Sequence, residues 1–308
     1  MEQLQTQLES LGFAARQTGS ASGQVLDSPD ALEQALKTIP LHFDSLPLLF
    51  EGHSKIVRLW TDRVVALRFK PTVYSFTMNR YGNVPGTDVV RLKFTAALFR
   101  RMTGIISQNG LELRNAFLAE IDCVDGPVLI QKRVDTCNIE TRVKRFHIGS
   151  PLHRYLYTEQ HNSTQKCGPL RKWSRFDEPL VCFDWRHPLQ DREGNRLADE
   201  PLSDDYASVW MRNVSCAKLL ARETFLWMEQ LFAAADLSLI DMCIFIDAEG
   251  QTIYGEISPD SMRVRIGLDH PDTAAPVDKD LWRMGATSGT LLARYRELYD
   301  RLFNQESR

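Results

Sequence analysis

Apolar positions along the chain follow two periods, and the changes of period mark out its elements. Leu4, Leu8 and Leu11 have the spacing of one helical face, closed by Gly12, and Gly19–Gly23 reads as a flexible Ser/Gly stretch. Ser28-Pro-Asp-Ala-Leu32 offers an N-cap followed by proline at the first helical position, which predicts a helix to about Thr38. From Leu46 onward the pattern changes to short apolar runs bounded by turn residues. Leu48–Phe50, Ile56–Trp60 and Val64–Phe69 read as strands, the first two flanking the turn Glu51-Gly-His-Ser-Lys55. Lys70–Gly86, with Pro71, Gly82, Pro85 and Gly86, reads as loop. Thr87–Thr103 carries Val90, Phe94, Ala97 and Leu98 on one helical face, and Ala116–Ile121 with Gly126–Val134 forms a predicted hairpin.

The second half repeats these signals on a larger scale. Glu140, Arg142 and Lys144 alternate and so share one face of a strand, ahead of Gly149-Ser150 and a predicted helix over Pro151–Tyr157. Gln160–Asp205 is mostly irregular but rich in aromatics such as Trp173 and Trp185, the character of a structured loop that caps a site. Asp184, His187, Asp199 and Glu200 are its polar candidates, with His187 read as a structural histidine. Ser203 is expected to cap a long helix to about Ala235, with Trp210, Val214, Ala217, Ala221, Phe225, Met228 and Phe232 as its buried stripe. A hairpin follows: the run Leu239–Ile246, the turn Asp247–Gly250 and the short run Thr252–Tyr254, with Pro259 ending the second strand. Asp278–Arg283 leads into a last helix, Thr287–Phe303. These elements predict an α+β fold with a helical extension over 1–44, a β-rich lobe over 45–133 and an α+β lobe over 134–308 carrying the long loop at 160–205.

The 308 residues suffice for one large or two modest domains with a sizeable core. The hydrophobic fraction of 43% and charged fraction of 25% are those of a soluble globular chain. A net charge of −3 supplies no basic field for nucleic acid. The N-terminus lacks the basic and apolar regions of a signal peptide, and no run reaches the roughly 20 apolar residues that span a bilayer. The six cysteines form no CxxC pair and no zinc-ligand spacing, so they read as small buried hydrophobes suited to a reducing cytoplasm.

Candidate chemistry gathers in three stretches. Glu256, Ser258, Asp260 and Arg263 fall within eight residues after a buried hairpin, which suits a cleft and equally suits an ordinary loop with a capping Asp. The glycine turn ending in Lys55 can fold over a phosphate chain, although most such turns are plain hairpins. Cations on one strand face, then Gly149-Ser150, then a helix start, compose an anion site; the alternative is a solvated basic strand.

Taken in order, these motifs resemble those of the SAICAR synthetase family, purine-pathway enzymes that use ATP to join aspartate to a carboxylated aminoimidazole ribonucleotide. The match runs from about Leu48 to Phe303. It is carried by Glu51-Gly-His-Ser-Lys55, Leu129-Ile-Gln-Lys-Arg133, Glu140-Thr-Arg-Val-Lys144, Gly149-Ser150, Leu239-Ile-Asp241, Glu256-Ile-Ser-Pro-Asp-Ser-Met-Arg263 and Asp278-Lys-Asp280. The resemblance implies a β-rich ATP-binding N-terminal lobe, a larger α+β C-terminal lobe and a site in the cleft between them. It assigns the substrate phosphate to Lys144, Ser150 and Arg263, with Arg145 or Arg142 compensating for the bidentate fork that Lys144 lacks. It places Gly52, Lys55 and Lys132 at the nucleotide, and Glu140, Asp241, Glu256 and Asp260 as acid–base candidates. ATP and Mg²⁺ are the implied cofactors, an aspartate-like amine and a phosphorylated heterocyclic nucleoside carboxylate the implied partners, and a homo-oligomer the frequent assembly. The departures concentrate at the nucleotide end. His53 stands at the family's first lysine, Cys243 at another lysine, and Phe245 and Gly255 where metal-binding carboxylates are expected, so no residue is assigned to a metal.

Three functions follow. One is an ATP-dependent amide ligase, its substrate drawn from specialised metabolism such as a C-nucleoside or purine-analogue precursor. Another is a repurposed enzyme that keeps the sugar-phosphate clamp and works without ATP. The third is a non-catalytic binding protein.

Overall fold

The computed structural model describes residues 29–165 and 168–304. The predicted helix through Leu4, Leu8 and Leu11, the Gly19–Gly23 stretch, the Ser28 cap and Cys167 lie outside the described residues. Helix α1 (Pro29–Lys37) precedes β1 (Leu48–Glu51), β2 (Lys55–Thr61), β3 (Val64–Phe69) and the small hairpin β4 (Thr72–Ser75) and β5 (Arg80–Asn83). Helix α2 (Thr87–Met102) then leads to β6 (Phe117–Cys123) and β7 (Gly126–Lys132). The first sheet is antiparallel in the order β1-β2-β3-β7-β6. On one face Leu36, Ile39 and Phe43 pack with Trp60, Ala66, Leu118 and Ile130, so the segment from α1 onward completes this core.

A second antiparallel sheet organises the rest. Its strands are β8 (Ile139–Phe146), β9 (Arg175–Trp185), β10 (Glu200–Leu202), β11 (Leu237–Ile246), β12 (Ile253–Tyr254) and β13 (Met262–Ile266). The order is β10-β9-β8-β11-β12, with β13 also paired to β11. The helical turns α3 (Pro151–Arg154) and α4 (Asp204–Ala207) and the long α5 (Val214–Ala233) lie within this half, and α6 (Asp280–Arg283) and α7 (Ser288–Phe303) close the chain. Segregated helices on antiparallel sheets make the fold α+β. No helix among the described residues is long and apolar enough to cross a membrane.

Helix α2 belongs to both cores. Leu92 and Ala96 pack with Val65, Leu67 and Leu129 of the first sheet. Phe94, Leu98, Phe99 and Met102 join Phe225, Met228 and Leu298 in the larger core. The helix is therefore buried on more than the single face predicted, and Val90 and Ala97 of that face are only half-buried.

Other elements also differ from the sequence pattern. The loop expected over Lys70–Gly86 contains β4 and β5, held because Arg80 stacks on Trp282 and donates to the Trp282 carbonyl at 2.6 Å. The irregular stretch at 160–205 contains the eleven-residue β9, with Pro179 at the register shift where the strand departs from β8. The helix expected from Ser203 is interrupted: Ser203 caps only α4, and Arg212 donates its N–H to the Ala248 carbonyl at 2.7 Å. Asn213 then caps α5 by accepting from Cys216 N. Trp210 consequently lies outside the helix, 40% exposed and tilted against Trp185. The helix expected over Pro151–Tyr157 is a single turn, and β12 ends at Tyr254, well before Pro259.

Gly250 joins the hairpin turn to the start of α5. Its φ is +76°, and a Cβ there would fall 2.4 Å from the Asn213 carbonyl oxygen. Gly250→Ala is expected to cost about 3 kcal/mol from combined left-handed strain and overpacking, read by urea unfolding. A loss below about 1 kcal/mol would show that the turn relaxes and does not fix the helix.

Candidate functional site

Glu256 sits where the two sheets meet. Arg91, fully buried on α2, donates Nε to Glu256 Oε1 at 2.8 Å and Nη2 to Oε2 at 3.0 Å. Lys55 Nζ from β2 lies 3.3 Å from Oε2, and the Ser258 hydroxyl donates to Oε1 at 2.5 Å. Beside it the Gln131 amide of β7 pairs with the Gly255 backbone, accepting from its N–H and donating to its carbonyl, each at 2.9 Å. Burial pushes the Glu256 carboxyl up, but Arg91 and Lys55 outweigh it and hold the group well below the carboxylate range. Burial also lowers Lys55, against the opposing pull of Glu256.

A second cluster forms on the face of β8 that the alternation predicted. Lys144 Nζ donates to Asp241 Oδ2 at 2.7 Å and to the Ile148 carbonyl at 3.1 Å. Arg263 donates Nη1 to the same Asp241 oxygen at 2.5 Å and Nε to Asp280 at 3.2 Å. Arg142 Nη1 donates to Ser150 Oγ at 2.5 Å. Gly149, with φ +77°, lets these cations converge, because a Cβ there would lie 2.9 Å from Arg263 Nη1. Despite its burial, Asp241 is held low by Arg263 and Lys144. Behind the cluster, Asp278 is raised to about 6 by burial and by Asp280, while Arg263 and Arg283 keep Asp280 low against its own burial.

Glu140 forms the third group. It accepts from Arg142 Nε and Arg186 Nη1, each at 2.9 Å, and although burial opposes ionisation, Arg186 and Arg142 hold it at about 2. Cys243 donates to Glu140, and burial raises its thiol. Arg186 lies over the Phe245 ring, which tilts against Tyr254.

The structure thus brings together Lys144, Ser150, Arg263, Asp241 and Glu140, and sets Lys55 on Glu256. It does not bring in Arg145. Odd positions of β8 face away, and Arg145 is bound to Glu229 of α5, with Nε 2.7 Å from Oε1. Arg142 is the neighbour of Ser150 instead. Asp260 lies apart, accepting from Lys279 at 3.0 Å and from the Tyr295 hydroxyl. Gly52 closes the β1–β2 turn by donating to the Lys55 carbonyl, and Lys132 ends β7 as an exposed residue. The one-turn α3 offers little helix dipole, so the positive charge of this corner comes from its cations. The sequence pattern missed Arg91 and Arg186. Arg91 shares a helical stripe with Phe94, Thr95 and Leu98, and a guanidinium on such a stripe requires a buried acceptor. Arg186 was hidden because β9 reads as loop.

A divalent cation does not fit the residues present. Phe245 and Gly255 supply no side-chain ligand, both Glu256 oxygens are taken by Arg91, Lys55 and Ser258, and Asp241 Oδ2 is shared by Lys144 and Arg263, whose charges oppose a cation there. Among the described residues no group of three His, Cys, Asp or Glu side chains is disposed to hold a metal.

Removing one partner of a buried ion pair strands the other. Arg91→Met is expected to cost about 3–5 kcal/mol in chemical unfolding, and adding Glu256→Gln should recover at least half of that. Full additivity of the two would contradict the pairing. Because the folded pKa of Glu256 is depressed, its stabilisation is present above the ordinary value of 4.5 and is lost as pH falls through the folded value. Acid unfolding of Glu256→Gln should therefore be shallower than wild type below about pH 4.5.

The SAICAR synthetase family matches residues 48–299. Phosphoribosylaminoimidazole-succinocarboxamide synthase of Methanocaldococcus jannaschii is 24% identical over 274 residues, covering 88% of this chain and 97% of that protein. The bifunctional cordycepin biosynthesis cluster protein 3 of Cordyceps militaris is 23% identical over 265 residues, 74% of this chain and 28% of that protein. A solved SAICAR synthetase in complex with ADP shares the fold, with a TM-score of 0.64 at 20% identity over 84% of this chain and 99% of that one. With the family match covering most of its length, and the fold and motif order in agreement, this chain belongs to the SAICAR synthetase family, a family of ATP-dependent ligases that form a carbon–nitrogen bond.

Proposed function

We propose that the chain is an amide ligase that joins aspartate or a similar amine to the carboxylate of a phosphorylated azole nucleoside. The observation that carries this reading is the convergence of Lys144, Arg263 and the Arg142–Ser150 pair at the Gly149 turn. Three cations and a hydroxyl within one small corner compose a receptor for a phosphate dianion. Asp241 holds Lys144 and Arg263 in place until the ligand arrives. The Cordyceps relative supports a substrate from specialised metabolism, a C-nucleoside or purine-analogue precursor.

In the ligase reaction a carboxylate oxygen takes the terminal phosphoryl group of ATP and ADP leaves. The amine then attacks the acyl carbon, the carbon–oxygen bond breaks, phosphate departs and the amine loses a proton. The residues here contribute positioning and charge. Lys55, Lys144 and Arg263 face anions, while Glu140, Asp241 and Glu256 fix those cations. Carboxyls held this low are poor bases, so the amine proton passes to solvent or to the departing phosphate. No step is assigned to a protein-bound metal.

A second reading, ATP-independent chemistry on a ribose-phosphate metabolite, is favoured by Phe245 and Gly255 at the expected carboxylate positions.

The test is ADP release from ATP, Mg²⁺ and aspartate across a panel of azole ribonucleotide carboxylates. Release is expected with one member, and Arg263→Gln should raise KM for that member at least about tenfold by removing a phosphate contact. Absence of ADP with every member, beside tight calorimetric binding of ribose 5-phosphate and silence with Mg-ATP, would replace the first reading with the second.

A further inference from the structure

The two positions expected to carry metal-binding carboxylates are neighbours in this fold. A Cβ on Gly255 would lie 4.0 Å from Phe245 Cδ2 and 3.8 Å from Lys55 Nζ. What occupies this corner is a guanidinium. Arg186 Cζ stands 5.7 Å from the Phe245 ring centre, within range of a cation–π contact. Its Nη1 is spent on Glu140, but its Nε is buried without a hydrogen-bond partner, with Asp199 Oδ1 3.7 Å away. The Arg186 side chain remains 37% exposed, so its outer edge is open to a ligand. Lys55 feels the same field, since Arg186 is among the charges that disfavour its proton.

We propose that this chain recognises the polyphosphate of a nucleoside triphosphate with Arg186 and Lys55, in place of a protein-bound divalent cation. The inference rests on the ligase reading for its ligand and on this corner for its chemistry. With Nη1 bonded once to Glu140 and Nε buried, Nη2 and the second N–H of Nη1 are the donors left for phosphate oxygens, a planar pair that a lysine does not offer. Phe245 contacts the guanidinium through its ring, where a further carboxylate would consume another of its donors. A metal ion at the same spot would meet two cations and only carboxylates that already have partners. With Phe245 and Gly255 at the expected carboxylate positions and Arg186 beside them, the neutralising charge sits on the chain in place of a bound ion.

The test is calorimetry of the full chain with ATP and with inorganic tripolyphosphate, in EDTA and in excess Mg²⁺. Affinities in the two buffers are expected to agree within about threefold, and Arg186→Gln should weaken both ligands at least about tenfold with a retained thermal transition. If Arg186→Gln does not fold, Arg186→Lys keeps the Glu140 ion pair and should still lose affinity for lack of the fork. Phe245→Glu should make binding Mg²⁺-dependent. Binding that requires Mg²⁺ in the wild type, undiminished binding by either Arg186 variant, or no binding of either anion would each overturn the proposal. ADP release, measured separately, would still decide the ligase reading.

Discussion

The bidentate contact between Arg91 and Glu256 is the constraint on which this site depends. It joins the helix shared by both cores to the stretch that follows the hairpin, and Lys55 ties the first sheet to the same carboxylate. Two unpaired charges at such depth would cost several kcal/mol each, so the pair survives only because its donors and acceptors are met. Arg91 Nη1 also caps the Lys70 and Thr72 carbonyls, and Ser258 completes Glu256. The Gln131 amide reads the Gly255 backbone beside it. The junction of the two sheets is thereby tied together, and both Glu256 oxygens are withdrawn into ion pairs and hydrogen bonds.

That withdrawal shapes the rest of the site. Each buried carboxylate near it is committed to a cation: Asp241 to Lys144 and Arg263, Glu140 to Arg142 and Arg186. The carboxylates pre-position these cations, which in the proposed reading reduces the reorganisation needed when an anionic ligand binds. In the proposed reading one end of the site faces a sugar phosphate and the other a polyphosphate. At the second end the guanidinium of Arg186 lies over the Phe245 ring, where the family resemblance leads one to expect acidic groups.

Sequence pattern conveyed much of this where local period and tertiary demand agree. The strands from Leu48 to Phe69, the Leu237–Tyr254 hairpin and the capped helix from Thr287 follow from alternation and turn chemistry alone. Alternation likewise put Glu140, Arg142 and Lys144 on one face, and the same rule should have excluded Arg145. Strand β9 was illegible because Pro179 and its flanking charges mimic a loop, while its pairing with β8 is a long-range property. The break between α4 and α5 is held by the long-range Arg212 contact with Ala248, while its one local signal is the Asn213 cap. Arg91 and Arg186 were missed for a related reason: the partner that makes each informative lies 165 or 46 residues away.

The central claim, that charges fixed in the chain do the work of a metal at this site, is tested most directly by crystallography with ATP and Mn²⁺, using the manganese anomalous signal. The expected result is phosphate oxygens against Arg186 and Lys55, Glu256 still bound to Arg91, and no manganese held by a protein carboxylate. A manganese peak coordinated by Glu256, with Arg91 displaced from it, would contradict the account.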